Sequence, residues 1–132
     1  MKTKYINLKE EYNEERIKEA AQDILNGELV IFPTETVYGI GANALNDDAC
    51  KNIFKAKGRA GDNPLIVHVN NVDMIKKLVE EPNEIEKKLI KSFCPGPFTL
   101  IFKAKNIIPK SVTAGLDTVG IRMPSNKIAN KL

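Results

Sequence analysis

The sequence predicts an α/β fold in which at least part of the sheet is parallel. Segments of helical periodicity alternate with short runs of β-branched and aromatic residues, a pattern typical of strand–helix–strand units. The chain has 132 residues, of which 42% are apolar and 28% charged. A chain of this size and composition buries roughly two-thirds of its unfolded surface. We therefore expect one globular domain over residues 1–132.

The first helix and the first strand are predicted before residue 33. Apolar residues recur at helical spacing between positions 14 and 26 and form one stripe. Asn13 suits the N-cap of this helix, and Gly27 suits its C-terminal stop. The apolar run Leu29–Phe32 then predicts a strand, which Pro33 ends because proline cannot donate to a sheet ladder. We expect this strand to be central in a mixed sheet.

The remaining elements continue the alternation. Aspartates open the next helix, at the end where the helix dipole favours negative charge. A later helix opens at a proline, which the first turn tolerates. Helices are predicted over Asp47–Lys57, from Asn71 to Val79 and from Pro82 to Phe93, and strands over Leu65–Val69, Phe98–Phe102 and Val119–Met123.

The segment directly after the first strand, Pro33–Asn43, is unusually polar for a connection. Within it, three hydroxyls and one carboxylate precede two glycines that allow a close backbone approach (Thr34, Glu35, Thr36, Tyr38, Gly39, Gly41). Polar groups beyond a strand end are typical of ligand sites in open α/β proteins, which predicts that this segment lines a cavity. A polar β-hairpin arm with glycines at its turn explains the same residues, and both interpretations stay open.

A second cluster follows the predicted helix 47–57. Lys57 and Arg59 flank Gly58, and the strand beyond them carries the single histidine, His68. A glycine kink between two cations lets both converge on a phosphate. A helix C-terminus with a left-handed glycine cap and favourable basic residues is the alternative.

A third cluster combines a rigid turn, Cys94–Thr99, with a charged residue in an apolar strand. Arg122 interrupts the run from Val119 to Met123. A guanidinium in such a strand must be paired or must reach a ligand. Both a buried ion pair and a ligand contact remain open.

Charge and cysteine content exclude several functions. The net charge of +3 combines 20 basic with 17 acidic residues, so charge alone does not indicate nucleic acid. Cys50 and Cys94 lie far apart, which disfavours a structural zinc site and suits a reducing compartment. The sequence has no apolar run of membrane-spanning length and no signal-peptide pattern. We expect a cytoplasmic protein without a membrane partner or a protein-held metal.

Taken together, these clusters resemble the YrdC/TsaC family, the threonylcarbamoyl-AMP synthases. The resemblance covers nearly the whole chain through four motifs in family order: PTETVYGIGANA, IFKAKGR…NPLIVH, CPGPFTLIF and TVGIRMP. It implies an open, twisted mixed sheet with helices packed on it and a basic cavity. It also implies synthesis of threonylcarbamoyl-AMP and pyrophosphate from L-threonine, bicarbonate and ATP, for modification of tRNA by partner proteins.

The resemblance also assigns roles to individual residues. It implies ATP contacts from Lys57, Arg59, Asn63 and Thr118, and L-threonine contacts from Thr34, His68 and Arg122. No residue is assigned covalent catalysis, because the reaction relies on positioning and charge stabilisation. Mg²⁺ is expected to accompany ATP without a protein cage.

Two departures from the family pattern qualify these expectations. Ala60 stands where the family has a proline, and the family's S-x-N motif lies beyond Leu132. The C-terminal part of the family domain is therefore expected to be missing, and this chain is expected to form little product alone. A non-catalytic RNA-binding module is the alternative. Only 6% of the residues are aromatic, which disfavours base stacking.

Overall fold

A computed structural model describes residues 2–132 and shows two small sheets with helices around them. The order of elements alternates helices and strands, as the periodicity predicts. The elements are α1 (Glu14–Leu25), β1 (Val30–Phe32), β2 (Gly39–Gly41), α2 (Asp47–Lys57), β3 (Ile66–His68), α3 (Val72–Leu78), α4 (Glu84–Phe93), β4 (Thr99–Lys103), α5 (Lys110–Thr113), β5 (Thr118–Arg122) and α6 (Lys127–Lys131). Within residues 2–132, no helix is both long and apolar enough to cross a bilayer.

Local capping chemistry sets the ends of the longer helices. Asn13 caps α1, since its side-chain oxygen accepts hydrogen bonds from the first-turn amides of the helix. Gly58 ends α2 in the left-handed conformation, with φ of 63°. Both caps confirm the sequence predictions. The prediction that Pro82 opens α4 is off by two residues, because Asn83 forms a capping box with Glu86 and the helix begins after it.

The larger sheet has three strands in the order β3-β5-β4. Strand β3 pairs with β5 in parallel, and β4 pairs with β5 antiparallel. The predicted parallel pairing is therefore confirmed. Because β5 lies between the other two strands, each residue on it has a neighbour on both sides.

The smaller sheet is a β-hairpin, so the prediction that the strand ending at Phe32 is central is wrong. Strand β1 pairs only with β2, antiparallel, within this two-stranded sheet. The hairpin interpretation of the polar segment is the one observed, with the glycines in β2 rather than at the turn. The ring of Phe32 explains them, because a Cβ added at Gly41 would lie 2.7 Å from its Cε1 atom.

The hydrophobic core lies on one face of the three-stranded sheet. Strand residues on that face, such as Val67, Ile121 and Phe102, are almost completely buried. They belong to one cluster with Ile75 of α3 and Val112 of α5. Since side chains alternate between the two faces of a strand, the other face of this sheet carries a different set of residues.

Substitution of Gly41 tests the contact between the two strands of the hairpin. We expect Gly41→Ala to lower the free energy of unfolding by about 1–3 kcal/mol, the usual range for overpacking. Gly39→Ala is the matched control, because its Cβ would meet the same ring at 3.4 Å. Urea unfolding measures both, and an equal loss in the two variants would contradict the close approach at Gly41.

Candidate functional site

The open face of the three-stranded sheet brings His68 and Arg122 together. The parallel register places His68 directly beside Arg122, and the antiparallel register places Thr99 on its other side. Val119 and Ile121 of β5 point into the core, so the alternate residues Thr118, Gly120 and Arg122 share the open face. Two of the residues assigned to L-threonine by resemblance are thus neighbours.

Gly120 lies at the middle of this face, between the two polar ends of β5. Its neighbours across the sheet are Ile66 and Ile101, whose surfaces are 51% and 62% exposed. Thr118 and Arg122 lie four residues apart on the strand, a span of about 13 Å. The face therefore has an apolar middle with a hydroxyl at one end and a guanidinium at the other.

An ion pair joins Arg122 to the hairpin. Arg122 Nη2 donates to Glu35 Oε1, and both side chains are more than four-fifths buried. The other carboxylate oxygen accepts hydrogen bonds from the backbone amide and hydroxyl of Ser125, at 2.6 and 2.7 Å, and from the amide of Asn126 at 3.2 Å. The ion-pair interpretation of Arg122 is observed, and Glu35 is the acid.

The environment of Glu35 favours its ionised form. Burial acts against the charge, but the hydrogen bonds from Ser125, Arg122 and Asn126 outweigh it and lower the pKa of Glu35 to about 2. The carboxylate is therefore charged at every physiological pH, and it neutralises the guanidinium beside it.

His68 favours its neutral form, and its Nδ1 has a hydrogen-bond acceptor in the backbone. Burial lowers the pKa of His68, and the positive charge of Arg122 acts in the same direction. Its Nδ1 lies 3.3 Å from the carbonyl oxygen of Ile66, a contact that requires the proton on Nδ1. Nε2 is then free to accept a hydrogen bond. The ring of Phe32 packs edge-on against the imidazole, with 5.8 Å between ring centroids.

Thr34 orders the connection between β1 and β2. Its hydroxyl donates to the carbonyl oxygen of Val37 at 2.5 Å and accepts from the amide of Thr36 at 3.2 Å. The same hydroxyl lies 3.1 Å from that of Thr36, which in turn lies 3.5 Å from Arg122 Nη2. The hairpin connection therefore brings Thr34 to the same end of the sheet as His68 and Arg122.

Lys57 is the last residue of α2, Arg59 and Asn63 lie in the segment that joins α2 to β3, and all three are exposed. Within residues 2–132 their side chains make no hydrogen bond or ion pair. The amide of Arg59 donates to the carbonyl of Phe54 at 2.9 Å, which fixes the chain direction after the cap. Asn63 precedes β3 and Thr118 begins β5, so in a parallel pair both lie toward the amino-terminal end.

The structure places five of the seven assigned residues at two ends of one sheet. Thr34, His68 and Arg122 gather at the carboxyl end of β3 and β5, while Asn63 and Thr118 lie where these strands begin. Lys57 and Arg59 lie earlier in the chain, at the end of α2 and just after it. Two clefts of about 520 and 500 Å³ open elsewhere, and none of the seven residues lines either one.

Sequence reasoning missed the groups that hold Arg122 in place. The sequence shows Glu35 as a carboxylate in the polar segment but does not indicate its partner. Nothing in the sequence marks Ser125 or Asn126 as part of the site. The ion pair joins positions 87 residues apart, and no local spacing indicates such a contact. The charged residue in an apolar strand was the signal that a partner existed.

Metal ligation by the chain has no support in the part that the structure describes. No group of three or more His, Cys, Asp or Glu side chains is close enough to hold an ion within residues 2–132. The residues present do not fit a protein-held Mg²⁺ site.

Comparison with known proteins identifies the family. The family model Sua5/YciO/YrdC, described as "Telomere recombination", matches residues 22–132. The chain belongs to the Sua5/YciO/YrdC family. Its match to this model spans both sheets and every motif quoted above.

Two similar relatives both carry the name threonylcarbamoyl-AMP synthase. The chain is 50% identical over 127 residues to the threonylcarbamoyl-AMP synthase of Pyrococcus abyssi, covering 96% of this chain and 37% of the relative. It is 47% identical over 134 residues to the Bacillus subtilis enzyme of that name, covering 98% of this chain and 39% of the relative. The chain therefore spans about two-fifths of the length of these two relatives.

A solved structure supports the fold assignment. The crystal structure of P. abyssi Sua5 complexed with L-threonine matches with a TM-score of 0.87 and 50% identity. The match covers 90% of this chain and 35% of that one. The α/β fold of this family, with its mixed sheet, is confirmed.

The low pKa of Glu35 predicts a pH-dependent contribution to stability. An ionised form favoured by folding adds stability that is complete above the ordinary pKa of 4.5 and is lost as the pH falls toward 2. We expect the difference in unfolding free energy between the native chain and Glu35→Gln to be nearly constant at pH 6 and above and to shrink as the pH falls below about 5 toward 3.

Urea unfolding over this pH range measures that difference. Glu15→Gln is the control, since its exposed carboxylate pairs, among residues 2–132, with Lys18 alone on the helix surface. A Glu35→Gln difference that does not change with pH would contradict the prediction.

Proposed function

We propose that this chain carries the L-threonine and ATP sites, at opposite ends of one sheet face, of an enzyme that forms threonylcarbamoyl-AMP and pyrophosphate, with bicarbonate as the third substrate. The observation that carries the proposal is the arrangement along β5, where Arg122 and Thr118 lie about 13 Å apart on either side of an apolar middle. Threonylcarbamoyl-AMP is an extended molecule with a nucleotide at one end and a free carboxylate at the other, because the phosphate is joined to the carbamate and not to the carboxylate of the amino acid.

The carboxyl end of the sheet suits L-threonine. Arg122 supplies a guanidinium for the substrate carboxylate, a pairing that is strong when charge-assisted. His68 presents Nε2 as an acceptor for the hydroxyl or the amine, and its neutral form does not repel an ammonium group. Thr34 is proposed as a third contact. The relative solved with L-threonine supports this assignment.

The other end suits a nucleotide triphosphate. Lys57 and Arg59 are exposed cations on either side of the Gly58 kink, and ion pairs within residues 2–132 do not occupy them. Two flexible cations without carboxylate partners are well suited to a polyanion. Asn63 and Thr118 are proposed to contact the remainder of ATP.

The reaction needs positioning more than a covalent group. The amine of L-threonine and bicarbonate form a carbamate with loss of water, and a carbamate oxygen then attacks the α-phosphorus of ATP as pyrophosphate leaves. Lys57 and Arg59 stabilise the negative charge on the phosphates. A magnesium ion is proposed to travel on the triphosphate itself.

The product is proposed to serve tRNA threonylcarbamoyladenosine formation in the cytoplasm, together with partner proteins that take up the intermediate. The names of the P. abyssi and B. subtilis relatives support this role. An RNA-binding module is not favoured, since the open sheet face carries neither a Phe nor a Tyr side chain for stacking.

Direct binding tests the proposal. Titration calorimetry with L-threonine and with ATP is expected to show one site for each ligand, and both bound together. Arg122→Gln should abolish L-threonine binding and leave ATP binding in place. Pyrophosphate release from ATP with bicarbonate should depend on added L-threonine. A chain that binds neither ligand, or that releases pyrophosphate equally without L-threonine, would refute the assignment.

A second variant tests the phosphate end. We expect Arg59→Ala to weaken ATP binding by about 1.5–3 kcal/mol, the scale of a charged hydrogen bond, which is roughly a 10- to 150-fold rise in Kd. Thermal stability should be nearly unchanged, because a base at a helix C-terminus contributes only about 0.3–1 kcal/mol.

Lys55→Ala is the matched control for Arg59→Ala. Lys55 lies in the last turn of the same helix and is equally exposed, but it precedes the Gly58 kink. The control should lose the same small helix-dipole contribution and keep ATP affinity. Loss of stability with retained ATP affinity in Arg59→Ala would support a purely structural role for this arginine.

A further inference from the structure

Glu35 is held more tightly than an ordinary partner of an arginine. One of its carboxylate oxygens accepts three hydrogen bonds from Ser125 and Asn126, directly after β5. Only the other oxygen faces Arg122. Three hydrogen bonds that do not involve Arg122 therefore hold the carboxylate in place, so its position does not depend on the guanidinium.

The guanidinium of Arg122 has one paired nitrogen, Nη2, and two nitrogens without a hydrogen-bond partner among the described residues. Nη2 is committed to Glu35, and Nε is buried without a hydrogen-bond partner within residues 2–132. Nη1 makes no hydrogen bond to the described residues either. Because a guanidinium is planar and rigid, holding Nη2 fixes the direction of the whole group.

We propose that Glu35 is a positioning residue, which orients Arg122 so that its unpaired Nη1 group donates to the carboxylate of the amino-acid substrate. This inference rests on the proposed function, in which Arg122 binds that carboxylate. A negative charge beside a carboxylate site weakens binding by Coulomb repulsion alone. Glu35 therefore benefits binding only through orientation, since a long side chain that is ordered in advance loses less entropy when the ligand arrives.

The two possible roles of Glu35 predict opposite results when its charge is removed. If Glu35 orients Arg122, Glu35→Gln weakens L-threonine binding, because an amide cannot accept from the Ser125 segment and from Arg122 as the carboxylate does. If Glu35 is merely a counter-charge, the same variant leaves binding unchanged or strengthens it. The sign of the change decides between them.

The experiment measures binding of L-threonine and of L-threoninamide, which lacks the carboxylate, by titration calorimetry on the full chain. The native chain should prefer L-threonine, and Glu35→Gln should reduce this preference about tenfold or more, the scale of a misplaced binding group. Equal weakening of both ligands would show a general structural defect and would overturn the proposal.

Two further variants keep the test decisive. Glu35→Asp retains the charge but retracts the carboxylate by one methylene, so orientation predicts a loss of preference and the counter-charge role predicts none. It also serves if Glu35→Gln does not fold. Ser125→Ala removes one hydroxyl bond and leaves the Arg122 pair, so it should keep the preference within about twofold. A loss of preference in Ser125→Ala together with full preference in Glu35→Gln would overturn the proposal, because the hydroxyl and not the carboxylate would then set the preference.

The outcomes also separate this inference from the proposed function. A native chain that prefers L-threonine while both Glu35 variants keep that preference refutes the positioning role alone. A native chain that does not distinguish L-threonine from L-threoninamide refutes the carboxylate site, and the inference falls with it.

Discussion

The ion pair between Arg122 and Glu35 is the contact on which the candidate site depends. It is the link between the hairpin connection and the end of the central strand β5, and it is largely buried. A buried guanidinium or carboxylate without its partner is costly, so each requires the other to be in place. The pair therefore fixes the position of the hairpin connection over the sheet. It also helps to place Phe32 of the hairpin, whose ring packs against His68.

One face of the three-stranded sheet forms the core, and the other forms the candidate site. One face buries Val119, Ile121 and Phe102 in the core and stabilises the fold. The other face holds Thr118, Gly120 and Arg122, which contribute little apolar burial but define the ends and the middle of the candidate site. Because side chains alternate between the two faces of a strand, β5 supplies residues both to the core and to the candidate site.

The sequence predicted the elements whose signals are local. The helical stripe of α1, the Asn13 cap and the Gly58 cap were all confirmed, because each depends on residues within one or two turns. The short helices α5 and α6 were not predicted, since five residues or fewer carry no periodicity.

The placement of the first strand was wrong for a related reason. Hydrophobicity identified β1 as a strand but could not show that its partner is the glycine-rich segment 39–41, which lacks the usual strand composition. In the site, Arg122 could be recognised as a charge that needs a partner. That Glu35 is this partner, and that Ser125 and Asn126 hold it, depends on tertiary contacts alone.

The position of β5 has a consequence for how the protein folds. The hairpin closes over a few residues of chain and is able to form early, whereas β5 must meet a strand 54 positions away and Arg122 must meet a residue 87 positions away. Closing such long loops costs entropy before any contact repays it, so contacts of this kind form slowly. A chain in which only the hairpin has formed therefore lacks the candidate site, which is complete only when β5 has docked.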